Sequence, residues 1–141
     1  MDNNLENDIM TTAASFVENF SDKGNFDYSV ESLKALDAIL DELSEFDLDE
    51  DILSSASSMA GCYVFEVARR NYGGVYGWSE ERDQPYIVTG APDYSVCLLA
   101  FEKVRGRLVN GKEDAIPFYF DGFIAAVEKG KVTPGYQATI V

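Results

Sequence analysis

The sequence predicts an α+β domain in which amphipathic helices pack on a small antiparallel sheet. Three observations lead there. Apolar residues recur at helical spacing through residues 4–71, the period changes to two across residues 75–99, and helical spacing returns from Phe101. No internal repeat or linker interrupts the chain, so residues 1–141 read as a single domain.

Over residues 4–20, Leu5, Ile9, Ala13, Phe16, Val17 and Phe20 define a first helix that ends before Lys23-Gly24. Ser29 then caps a second, with Tyr28 placed to staple onto Leu33. Its stripe is Leu33, Leu36, Ile39, Leu40 and Leu43, and its other face is acidic. The longest helix spans about residues 48–71, started by a capping box of Asp47 and Glu50. Ser54, Ser55, Ser57, Ser58 and Gly61 make its middle slender, which predicts that another backbone packs close to Gly61. Arg69 and Arg70 load its last turn, and Gly73-Gly74 supplies the stop. Residues 75–78, 85–89 and 94–99 read as strands. Phe101, Val104 and Leu108 mark a short helix closed by Asn110-Gly111, and residues 115–129 a last one. The tail, residues 132–141, reads as extended and adds an edge strand.

Charge narrows the function more than any motif. The chain has 11 basic and 25 acidic residues and no histidine, for a net charge of −14. The missing histidine excludes Ser-His, Cys-His and His-metal chemistry. The negative charge repels nucleic acid and anionic membrane surfaces, so neither is expected as a direct partner. Residues 1–60 hold 15 acids and two bases, Lys23 and Lys34, whereas residues 61–141 are nearly balanced. No apolar run is long enough to span a bilayer, and the first residues, Met1-Asp2-Asn3-Asn4-Leu5-Glu6, lack the pattern of an export signal. Cys62 and Cys97 form no ligand cluster and read as two buried thiols in a reducing cytoplasm.

Seven acids crowd residues 41–51. Asp47, Asp49 and Asp51 alternate as in a calcium loop, but Ile52 stands where the loop needs Gly and Ser58 where it needs Glu, which excludes that site. No metal or other cofactor is expected. Like charges this dense either form a solvated surface or steer a cationic partner.

A second constellation surrounds Glu66. With Arg70 one turn away, two readings stand. Glu66, Arg69 and Arg70 form a polar ligand site facing a cleft beside Tyr72, Tyr76 and Trp78, or they form an ion pair that buttresses the sheet; the second is preferred. The Gly-rich stretch from Gly73 to Gly77 follows a helix instead of preceding one, so it is a turn and not a phosphate cradle. Lys103, Arg105, Arg107 and Lys112 make the single basic patch, read as the solvated face of a short helix.

The pattern Asp27-Tyr28-Ser29-x-x-Ser32-Leu33-x-x-Leu36-Asp37, followed by Gly61-x-Tyr63-x-x-Glu66-x-x-Arg69-Arg70-Asn71-x-Gly73-Gly74, resembles an uncharacterised bacterial domain family. The stretch from Phe101 to Asp114 is similar to the C-terminal part of that family. The resemblance covers roughly residues 27–120 and implies one domain of bacterial origin, but no activity and no site residues. The expectation is therefore an acidic binding module without a catalytic set: an immunity protein that neutralises a basic toxin, such as a nuclease, by occluding its active site. Asp37, Asp41, Glu42, Glu45, Asp47, Asp49 and Glu50 are its expected partner-binding residues. The alternative is a small-molecule-binding protein or enzyme built on Glu66, Arg69, Arg70, Tyr76 and Trp78.

Overall fold

A computed structural model describes residues 3–141; Met1 and Asp2, at the start of the segment read as lacking an export signal, lie outside them. The described residues form five helices, α1 (Asn3–Asn19), α2 (Leu33–Leu43), α3 (Glu50–Tyr72), α4 (Phe101–Asn110) and α5 (Ile116–Lys131). They pack with four strands, β1 (Val75–Ser79), β2 (Gln84–Thr89), β3 (Ser95–Leu98) and β4 (Gln137–Ile140). This is the α+β class that the changes of period predict.

α3 is the central element. Residues 60–68 are buried without exception, so this half of the helix is enclosed on every side instead of showing one wet face. α1, α4 and β2 all pack against it. The rings of Phe16 on α1 and Tyr63 on α3 lie tilted against each other, and Phe26 meets both edge-to-face. Tyr28 is anchored on Tyr63: it takes a left-handed backbone conformation, with φ of 64°, and its ring stacks on that of Tyr63 with centroids 4.9 Å apart.

The sheet runs β1-β2-β3-β4, and its inner face carries the buried Tyr76, Ile87, Val96 and Leu98. β1–β2 and β2–β3 are antiparallel, with Tyr76 opposite Ile87 and Ile87 opposite Leu98. β4 pairs parallel to β3, with Val96 opposite Ala138, so the sheet is mixed and not wholly antiparallel. The reason is the connection. The chain leaves β3, passes through both α4 and α5, and returns to the edge in the direction of β3, which a tight hairpin cannot do.

Two local expectations change as well. Asp49, not Asp47, caps α3: its Oδ1 accepts the Ile52 N–H at 2.9 Å, and no reciprocal bond from Glu50 completes a box. The neighbour over Gly61 is the Phe101 ring and not a backbone. A Cβ at Gly61 would stand 2.5 Å from Cδ1 of that ring, so the missing side chain is what lets the start of α4 settle onto α3.

Candidate functional site

The acidic segment is built by the end of α2, the connection after it and the start of α3. Asp37 and Asp41 lie one turn apart on α2, so both carboxylates reach the same point in space. That point is the guanidinium of Arg107 on α4. Arg107 donates from Nε to Asp37 Oδ1 at 2.9 Å, and from Nη2 to Asp37 Oδ2 at 3.2 Å and Asp41 Oδ1 at 2.9 Å. Asp37 Oδ1 also accepts the N–H of Ile116 at 2.9 Å, which ties the start of α5 to the same carboxylate. Arg107 is only 1% exposed. Its hydrogen bond holds the Asp41 carboxyl below the usual carboxylate range.

The basic patch is consequently a solvated face only in part: Lys112 is exposed, but the three cations of α4 are all paired. Arg105 forks onto Glu50 with both bonds at 2.7 Å, Lys103 pairs with Asp114 at 2.9 Å, and Arg107 is buried. α4 thus spends its cations on the acids of the protein itself, and Arg107 is buried because it falls in phase with Val104 and Leu108.

The seven expected partner-binding acids therefore separate. Asp37, Asp41 and Glu50 are neutralised by α4, Asp49 caps α3, and Glu42 lies 3.7 Å from Lys23. Glu45 and Asp47 are exposed and have no ion-pair partner among the described residues, and the same holds for Asp51. Phe46 and Ile52, 69% and 46% exposed, stand between and beside these acids.

Behind them lies a feature not expected from the sequence. A groove of about 290 Å³ opens between α1, α2 and α3, lined by Phe16, Phe20, Leu43, Ile52, Ala56 and Met59 among others, with Asp51 at its rim. Each residue reads as ordinary core in its own helix. The groove lies at the end of α2, where Leu43 is half-buried, while Leu33, Leu36, Ile39 and Leu40 of the same stripe are buried.

The second constellation centres on a carboxylate that solvent does not reach. Glu66 is fully buried inside the enclosed half of α3. Its Oε2 accepts from Arg69 Nε at 2.7 Å and from the Tyr76 hydroxyl at 2.8 Å; its Oε1 accepts from Arg69 Nη2 at 2.9 Å and Arg70 Nε at 3.2 Å. Desolvation pushes the Glu66 carboxyl up, but the bonds from Arg69, Tyr76 and Arg70 outweigh it and leave the group below its ordinary value. Burial and the charge of Glu66 hold the Tyr76 hydroxyl well above its own range, so it stays protonated and donates. Arg70 lies over the Tyr28 ring, 3.7 Å from its centroid. Tyr72 packs on Phe120 and Phe123, and Trp78 is 47% exposed and outside the hydrogen-bonded group. The structure thus joins Glu66, Arg69, Arg70 and Tyr76, but not Trp78, into a network that engages both oxygens of the Glu66 carboxylate, with Arg70 at its exposed edge.

A polar recess of about 320 Å³ between α3, β2 and α4 includes Ser57, Gln84, Arg82 and Arg105. Both arginines are engaged, by Glu102 and Glu50, so it presents no free cation to an anionic ligand. Among the described residues no helix is long and apolar enough to cross a membrane, and no group of three or more Cys, Asp and Glu side chains converges as a metal site.

Comparison with protein-family models, curated proteins and solved structures gives no match, so the reading of the site rests on its own geometry.

Proposed function

We propose that this chain is an acidic protein-binding module, an immunity protein that occludes a basic toxin such as a nuclease. The observation that carries the reading is the sorting of the acids. Arginines of α4 take Asp37, Asp41 and Glu50, yet Glu45, Asp47 and Asp51 stand exposed around one connection with no ion-pair partner among the described residues. Uncompensated like charges on a short segment oppose folding, and a cationic partner turns that repulsion into fast, oriented association. A surface of this sign also competes with phosphate for a nuclease's binding groove. The burial and full engagement of the Glu66 carboxylate favour a packing role there over a ligand site.

The test is co-expression with the protein encoded in the adjoining reading frame. The expected result is that this product arrests growth alone, that the present chain restores growth, and that the two co-elute in gel filtration. A harmless neighbour, or a toxic one that neither binds nor is neutralised, overturns the proposal.

A further inference from the structure

The groove between α1, α2 and α3 extends the proposal above, on which it rests, to what the partner must present. Its lining is almost wholly apolar, and Phe20, Leu43 and Met59 are only half-buried there, with Ile52 more exposed still. Part-exposed apolar side chains around a concave floor of buried Phe16, Ile39, Leu40 and Ala60 offer room for another apolar group to pack. At about 290 Å³ it lies at the small end of ligand pockets, room for one or two side chains.

Charge selects the occupant. The connection bearing Glu45 and Asp47 runs between Leu43 and Ile52, both of which line the groove, and Asp51 stands on its rim. A second copy of the chain would bring a net −14 against these same acids, and a fatty acid or anionic bilayer would bring like charge as well. A basic protein segment with a protruding apolar residue satisfies both the lining and the rim. We infer that the groove is the socket for an apolar anchor on an amphipathic helical segment of the basic partner, whose flanking Lys and Arg meet Glu45, Asp47 and Asp51.

Fluorescence anisotropy with a labelled amphipathic peptide, Leu at i, i+3, i+4 and i+7 and Lys elsewhere, tests this directly. The peptide should bind, and replacing its Leu by Ser should weaken binding by about tenfold or more. Replacing Lys by Glu should abolish it. Ser55→Trp, made at an exposed position of α3 that lines the groove, should weaken the Leu/Lys peptide and leave the Ser/Lys peptide unchanged. Equal binding of the Leu/Lys and Ser/Lys peptides, both weakened by Glu45→Gln, Asp47→Asn and Asp51→Asn together, overturns the socket and leaves the acidic docking surface standing. Binding of the Leu/Glu peptide as tight as that of Leu/Lys, or no effect of those three substitutions, overturns both. Binding by none of the peptides, or a dimer that Ser55→Trp dissolves in sedimentation, overturns the socket.

Discussion

Arg107 and Asp37 lie 70 residues apart in the chain and meet through two parallel hydrogen bonds, Nε to Oδ1 at 2.9 Å and Nη2 to Oδ2 at 3.2 Å. The pair joins α2 to α4 in a place where the arginine is 1% exposed. Removing one partner of a buried pair leaves the other charge uncompensated. Arg107→Ala should therefore destabilise the fold by about 3–5 kcal/mol in a urea melt. Asp37→Asn, which keeps an acceptor for the Ile116 N–H, should cost less than Asp37→Ala. Equal melts for Arg107→Ala and the parent would show that α2 and α4 are held by apolar contacts alone.

Glu66 ties stability to acid pH. Its folded-state pKa is lowered, so the unfolded chain binds the proton more tightly, and the network stabilises the fold only while the carboxylate is ionised. That contribution is complete above the unfolded glutamate pKa of about 4.3 and is lost as pH falls through the lower folded value. Asp41, lowered chiefly by its bond from Arg107, and Asp114, lowered by Asn110 and Lys103, act in the same direction. Tyr76→Phe removes one donor to Glu66 and should cost about 1–3 kcal/mol at neutral pH. The acid transition of that variant should move to higher pH, followed by circular dichroism from neutrality downward.

Gly61 reports on the packing of α4. With the Phe101 ring 2.5 Å from where a Cβ would stand, Gly61→Leu should destabilise by about 1–3 kcal/mol through overpacking. Phe101→Leu combined with Gly61→Ala should show favourable coupling in a double-mutant cycle. Additive effects would place the strain elsewhere.

Cys62 and Cys97 are free thiols, one buried and one half-buried. Burial, with the charge of Glu66 behind it, pushes Cys62 up to about 12. In the native protein Cys62 should resist a thiol-reactive dye at mildly alkaline pH and Cys97 should label slowly, with both labelling at once after denaturation. A native Cys62 that labels rapidly would mean that the α1–α3 contact opens.

The helices and the first three strands are legible because each carries its own period. What the sequence hid was pairing at a distance. Arg107 sits in phase with Val104 and Leu108, and Glu66 is one turn beyond Cys62 and Tyr63 in a helix of buried residues. A charge on an apolar stripe demands a partner, and this signal was available for both residues. Which acid answers Arg107 was not, since Asp37 is brought to it only by the tertiary fold. The parallel pairing of β4 was hidden for the same reason, because it depends on where two helices deliver the chain. The groove was least visible of all, since Phe20, Leu43 and Met59 look like core until the spacing of three helices is known.

The separation of the acids into paired and free sets changes which charges should matter for binding. Neutralising Asp41 or Asp49 should damage the fold, through the loss of the Arg107 contact or the α3 cap, whereas Glu45, Asp47 and Asp51 can change without that cost. The most direct measurement is the association rate with the product of the adjoining reading frame, by stopped-flow at low and moderate salt. Two charge-matched variants are compared: Glu45→Gln, Asp47→Asn, Asp51→Asn, and a control in the β1–β2 loop, Glu80→Gln, Glu81→Gln, Asp83→Asn. The first should slow association about tenfold at low salt, with an unchanged or slightly higher melting temperature, and the difference should shrink as salt rises. The control should change the rate far less. Equal slowing by both variants, or no slowing by the first, would contradict the assignment of these acids as the docking surface.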